Sequence, residues 1–167
     1  MKLYVQSTTA RAPKKPIVRF IAVGLAAFFV ILAVAQLYSF EDFPEVIASL
    51  GLPGGRPATT LLSALIVTGE VLAVPYLLSM RLSPAMRVVS MIAGWLIIAK
   101  WLGILIYVNV TTNAITNSGV LGATIPVAPE WWLVGLFTAL GAALIWVSWG
   151  MWPFADARSI DRNERTR

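Results

Sequence analysis

Residues 57–80 read PATTLLSALIVTGEVLAVPYLLSM, an apolar run whose single charged residue is Glu70. The hydrocarbon core of a bilayer is about 30 Å thick and takes roughly 20 apolar residues of helix to cross. Three further runs have the same character. Residues 20–40 and 131–155 hold no Asp, Glu, Lys or Arg, and 88–110 holds only Lys100. A soluble domain of 167 residues does not need four such runs to fill a core. The expected architecture is all-α: an integral membrane four-helix bundle with spans at about 17–38, 58–80, 86–110 and 130–152. The spans form one domain over 17–155, between basic tails at 1–16 and 156–167, and no internal repeat is evident.

Composition supports lipid exposure and excludes several chemistries. Charged residues make up 13% of the chain and hydrophobic residues 58%, against about 25% charged in soluble domains. There is no Cys, so no disulfide, thiolate or iron–sulfur ligation, and no His, which removes His-ligated haem and the common zinc sites. No phosphate-binding GxxxxGK[ST] loop, HExxH or EF-hand spacing occurs. No cofactor is expected to be held covalently or through a metal, which leaves quinone or lipid as the open ligand class. The net charge of +5 does not indicate nucleic acid, because Lys and Arg gather at the ends of the spans.

That gathering sets an orientation. Lys2, Arg11, Lys14, Lys15 and Arg19, then Arg81 and Arg87, then Arg158, Arg162, Arg165 and Arg167 fall on one side of a four-span chain. The other side carries Arg56 with Glu41, Asp42, Glu45 and Glu130. By the positive-inside rule both termini are expected in the cytoplasm, with a bacterial cytoplasmic (inner) membrane as the expected location. Tyr38, Tyr107, Trp131 and Trp132 would then mark the outer interface, and Tyr76, Trp149 and Trp152 the inner one. Ala33-Val34-Ala35 behind a basic leader resembles a signal-peptidase site, but the run is long for a signal peptide, and span one is expected to be retained.

The outer connections differ. In the first, Asp42 and Glu45 have capping-box spacing with Pro44 inside the first turn. Phe43, Val46, Ile47 and Leu50 share a helical face, and Gly51 and Pro53 stop it. The pattern predicts a short interfacial helix, apolar face down. The second connection, 111–129, is uncharged and rich in Thr, Asn and Gly, and is expected to fold over the bundle mouth or press on a neighbouring subunit.

Glu70 and Lys100 are the residues that need a cause. A charge at mid-span costs about 2.5–3.5 kcal/mol on insertion scales. Counted from the turn joining spans two and three, their backbones differ in depth by roughly one helical turn, within reach of a lysine stem. As an intramembrane polar pair they serve either as a functional site, for a proton, a substrate or a quinone head, or as a neutralised pair that fixes the register of two helices. Gln36, Ser63 and Tyr107 are candidate walls of a polar pocket beside them. No residue stands out as catalytic or metal-ligating. Ser63, Val67, Ala73 and Leu77 share the face of Glu70, and Ala93, Leu96, Gly103 and Tyr107 that of Lys100. Ala22, Ala26, Phe29, Ala33 and Gln36 form a stripe on span one, and Gly135, Thr138, Ala139 and Ala142 one on span four; helix packing is the expected role of both. Pro75 is expected to free a carbonyl and kink span two below Glu70.

The layout resembles the DoxX/MauE-like group of small four-helix membrane proteins, from about Ile17 to Trp149. The likeness rests on Leu37-Tyr38-Ser39-Phe40-Glu41-Asp42-Phe43 running on to Leu50-Gly51-Leu52-Pro53, on Gly69-Glu70 in span two, and on the turn Met80-Arg81-Leu82-Ser83-Pro84. The resemblance implies membrane redox work. Known members include a quinone-reducing thiosulfate oxidoreductase subunit and a factor for disulfide formation in methylamine dehydrogenase. MauE-like members often carry a Cys-Gly-Cys type motif before span four, where this chain has Asn117-Ser118-Gly119-Val120-Leu121-Gly122. Thiol–disulfide chemistry by this chain alone is thereby excluded, and only Glu70 carries over.

The expected function is a non-catalytic accessory or assembly subunit of a larger membrane complex, of redox type, with membrane lipids and other membrane subunits as partners and no nucleic acid. A small transporter or channel using Glu70 as a proton- or cation-linked carboxylate is one alternative. A quinone- or lipid-linked enzyme, with Glu70 and Lys100 as acid and base, is the other.

Overall fold

A computed structural model describes residues 15–52, 54–111 and 115–151. The described chain is all-helical: α1 (Pro16–Tyr38), α2 (Phe43–Ser49), α3 (Gly55–Leu77), α4 (Pro84–Thr111) and α5 (Trp131–Gly150). Four of these are long and apolar enough to cross a membrane. At 1.5 Å per residue, the 20 residues of α5 give about 30 Å and the 28 of α4 about 42 Å. The four long helices close a ring in which α1 packs on α3 and α5, and α4 on α3 and α5. The basic tails, Trp152 and Pro53 lie wholly or largely outside the described residues.

The bundle is apolar on both sides. Phe29, Ile66, Trp101, Leu105, Phe137 and Val147 are buried inside, while Val30, Ile31, Leu61, Leu65, Ile92, Leu96 and Ile145 face outward. A helix surface of this kind is stable in hydrocarbon, where exposed Leu and Ile cost nothing, and not in water.

Local chemistry sets the helix ends. Pro16 opens α1, where a missing N–H is harmless and a fixed φ helps. Gly54 (φ 121) turns the chain into α3, and Pro57 sits within its first turn. At the other end Ser79 takes φ 53 and the Met80 N–H donates to Pro75 O at 3.0 Å. Span two therefore ends at Leu77, three residues before its expected end. Pro75 lies in the last turns of α3, and Ser90 of α4 repairs the ladder beside it. The Ser90 hydroxyl accepts from the Tyr76 N–H at 3.0 Å and donates to the Leu72 carbonyl. Tyr76 N and Leu72 O are the donor and acceptor of one helical rung, so a hydroxyl from α4 is built into α3.

Two local expectations are corrected. Asp42 caps nothing with its side chain, because its backbone (φ −94, ψ −17) is helical and already turned by Asp42 N and Phe43 N donating to Ser39 O. Glu45 instead accepts from Arg56 at 3.1 Å, an exposed pair. Tyr76 does not mark an interface: it is buried, and its hydroxyl donates to Met151 O at 3.2 Å across the bundle. The apolar face of α2 (Phe43, Ile47, Leu50) is fully buried against the protein itself, with α3 its main neighbour.

The connection 115–130 folds back over the bundle. The Asn117 side chain holds its bend, accepting from Gly119 N at 2.9 Å and donating to Gly122 O at 3.2 Å. Ser118 N donates to Val127 O at 2.7 Å. Gly119 and Gly122 have φ near +75, which glycine adopts freely. At Gly122 a Cβ would lie 2.7 Å from Ala35 O and 2.5 Å from Ser39 Oγ, so glycine is what lets the loop meet the end of α1. Ala123 N then donates to Ser39 Oγ at 2.8 Å.

Candidate functional site: a buried carboxylate under the loop

Glu70 sits seven residues before the end of α3, on the buried face it shares with Ser63, Val67, Ala73 and Leu77. Its exposure is 0%. Oε1 accepts two hydrogen bonds, from Gln36 Nε2 of α1 at 3.2 Å and from Trp101 Nε1 of α4 at 3.1 Å. Gln36 Nε2 also donates to Val120 O of the loop at 3.0 Å. One carboxylate oxygen and one amide nitrogen thus join α1, α3, α4 and the 115–130 connection. Around them, Trp101 lies against Phe137 of α5 with centroids 6.0 Å apart, and Phe137 meets Phe28 of α1 edge-on at 6.0 Å. Through these rings α5, the fourth helix of the ring, closes the site with apolar surface. Beside it, a Cβ on Gly69 would come within 2.5 Å of Ile97, so Gly69 permits the close approach of α3 and α4 at this level.

Lys100 does not take the place opposite Glu70. It precedes Trp101 by one residue, about 100° around the helix, and the indole occupies the inward position. Lys100 Nζ is buried, 5.8 Å from the Trp101 ring centroid, with no hydrogen-bond partner and no carboxylate within ion-pair distance. The residues expected on its face behave accordingly: Leu96, Gly103 and Tyr107 are exposed and Ala93 half-buried.

Three further buried atoms lack hydrogen-bond partners: Glu70 Oε2, Gln36 Oε1 and Ser118 Oγ. Native interiors leave few such atoms unpaired, and each calls for a cause.

Of the other expected pocket residues, Ser63 is buried but spends its hydroxyl on Thr59 O at 2.8 Å. Tyr107 is 40% exposed and donates to Gly51 O at 3.3 Å, which ties α4 to the first connection and not to Glu70. Ala22, Ala26 and Ala33 lie on the buried face of α1 with Phe29 and Gln36. Gly135, Ala139 and Ala142 are exposed on α5, whose buried residues are Leu133, Phe137, Leu144, Val147 and Ser148. Of the three tryptophans remote from the span ends, Trp101 alone is buried, and Trp95 donates to Ser148 Oγ at 3.1 Å.

Two of the site's contacts, Trp101 with the carboxylate and the Val120 carbonyl with Gln36, were not anticipated. Trp101 belongs to the face marked by Ser90, Gly94 and Ile97, small or apolar residues at helical spacing, and that spacing was the available signal. The Val120 carbonyl carries no side-chain signature at all.

Among the described residues, three surface clefts are lined by neither Glu70 nor Lys100. A groove of about 460 Å³ runs between Val30, Ile31, Val34 and Ala35 of α1 and Leu121 to Ile125 of the loop. One of about 570 Å³ lies between Asn109, Glu130, Trp131 and Trp132, and one of about 390 Å³ beside Glu45 and Arg56. Among the described residues no three His, Cys, Asp or Glu side chains gather as metal ligands would.

Fold and site together define a helical protein with four candidate membrane spans and a carboxylate sealed inside the bundle. Comparison with models of known families, with curated proteins and with solved structures finds no match.

Proposed function

We propose that this chain is a non-catalytic accessory or assembly subunit of a larger membrane complex, of redox type, in a bacterial cytoplasmic membrane with both termini cytoplasmic. The observation that carries the proposal is the sealing of Glu70. Its exposure is 0%, and its bonded oxygen is spent on holding α1 and α4 together and, through Gln36, the loop. A carboxylate placed this way organises a bundle; it does not meet a substrate. The outward faces agree with a partner in the membrane. Only 28% of the apolar window of α5 is buried, against 39–44% in the other spans, and its free face carries Gly135, Ala139 and Ala142. The likeness to DoxX/MauE-like proteins supports the redox setting, since this chain has neither Cys nor His to carry electrons or thiols itself. Quinone or lipid is the ligand class such a setting offers.

Purification from native membranes in mild detergent, followed by mass spectrometry and an absorbance spectrum, tests this. Stoichiometric recovery with cofactor-bearing subunits is the expected result. Elution as a lone, colourless monomer or homodimer sinks the proposal.

A second reading rests on a specific observation. Glu70 Oε2 and Lys100 Nζ are both buried with open hydrogen-bonding valence, which suits a proton- or cation-linked step in a small transporter. Glu70→Gln combined with Lys100→Met separates the two. An accessory subunit carrying this double change still assembles and supports its complex, whereas a Glu70-linked transporter stops.

A further inference from the structure

The buried atoms with open valence are not scattered about Glu70. Gln36 Oε1 belongs to the side chain that bridges Glu70 and Val120, and Ser118 Oγ lies two residues from that Val120 carbonyl. Hydrogen bonding orders three of them from the loop, with Ser118 near Val120, then Gln36, then Glu70; Lys100 Nζ, next to the Trp101 from which Glu70 accepts, is the fourth. Gln36 and Glu70 are each 0% exposed and Ser118 1%. Two acceptors, a hydroxyl and an amine are chemically complementary to water, which donates to the first and accepts from the last. An apolar ligand would leave all four unsatisfied.

The opposite direction is built differently. One turn from Glu70 toward the end that carries the chain termini, Ala73 meets Gly94 and Gly94 meets Leu144, with a Cβ on Gly94 3.4 and 3.5 Å from them. Ile97 presses on Gly69 at the level of Glu70 itself. Farther on, Ser90 is bonded to Tyr76 N and Leu72 O, Tyr76 to Met151 O, and Ser148 to Trp95. Open polar valence therefore leads from Glu70 to the loop, and close apolar packing separates it from the termini.

We propose that Ser118, Gln36 and Glu70 line a water-bearing polar path that opens only at the loop end of the bundle and stops at Lys100. The path admits only water-sized species, so Glu70 stays closed to a substrate, as the proposed function requires. It makes Glu70 a group in exchange with one side of the membrane alone.

The absence of cysteine from the sequence makes this directly testable. Ser118→Cys, Gln36→Cys, Glu70→Cys and Ala73→Cys are prepared singly in the full chain and placed in sealed vesicles, with a C-terminal tag reporting which face is outside. Silver ion, a small thiol-seeking cation, is applied to one face. Thiols left unreacted are then labelled with maleimide in denaturant. Silver from the loop face is expected to abolish later labelling at 118, 36 and 70 and to leave 73 labelled. Silver from the tail face is expected to leave the three path positions labelled. The four separate variants keep the test standing if Glu70→Cys alone fails to fold. Protection of positions 36 and 118 from loop-face silver overturns the path, and equal reaction from both faces overturns its one-sidedness.

Discussion

At Glu70 two neutral donors, an amide and an indole, do the work that an ion pair would do elsewhere. Both converge on one oxygen in a low-dielectric interior, where removing one partner of a buried hydrogen bond costs about 1–3 kcal/mol. Trp101→Phe keeps the ring that packs on Phe137 and removes only the N–H. It is expected to lower stability by about 1–3 kcal/mol in detergent unfolding, and the loss is expected to shrink when Glu70 is already Gln. Equal losses in both backgrounds would show that the indole N–H does not act through Glu70. Arg56→Ala offers the contrast. Its pairing with Glu45 is exposed on both sides, so a change under about 1 kcal/mol is expected from the same unfolding measurement. At this scale the sequence was half legible. An isolated Glu in an apolar run announces itself, and so does Lys100. Which neighbour answers the carboxylate did not, because charge drew attention to Lys100 while helix rotation placed Trp101 inward.

Elements show where long-range contacts replace local rules. The four long helices follow from apolar runs of sufficient length, and the stop at Gly51 (φ 70) from glycine's freedom there. Asp42 and Glu45 had the spacing of a capping box, yet the chain leaves α1 in a continuous turn that gives Asp42 helical dihedrals. Ser90 is the clearest case of what a sequence hides. Its role beside Pro75 depends on α3 and α4 packing at one register, which no local pattern states. Ser90→Ala leaves the Tyr76 N–H and the Leu72 carbonyl without the hydroxyl between them. A loss of about 1–3 kcal/mol is expected by unfolding. Adding Pro75→Ala lets the last turns of α3 close as ordinary helix, so the double variant is expected to be more stable than Ser90→Ala alone. Additive losses would mean that Ser90 acts apart from Pro75. The loop obeys the same logic: Gly122→Ala puts a methyl against the Ala35 carbonyl at a left-handed φ. It is expected to detach 115–130 from α1, seen as faster proteolysis within that connection while the helical content is kept.

The whole molecule joins a bundle closed inside to a surface open outside. Its interior polar groups converge under one loop, and its helix ring is complete through α1, α3, α4 and α5. The small-residue stripe of α5, expected to serve helix packing, is exposed on the described chain at Gly135, Ala139 and Ala142. Small residues at helical spacing show that something approaches closely, but not whether it is the same chain. On α1 the stripe meets α3 and α5; on α5 it meets the membrane or a neighbour. The two cases separate by substitution. Ala139→Leu adds bulk to an exposed position, so the isolated protein is expected to unfold within about 0.5 kcal/mol of the unmodified chain. If α5 seats a partner subunit, the same change removes that subunit from the purified complex, because backbones held apart by a larger side chain lose the packing that drives association in lipid. Recovery of the complex unchanged, with Ala139→Leu at full stoichiometry, would place the partner on another face and leave the α5 surface to lipid.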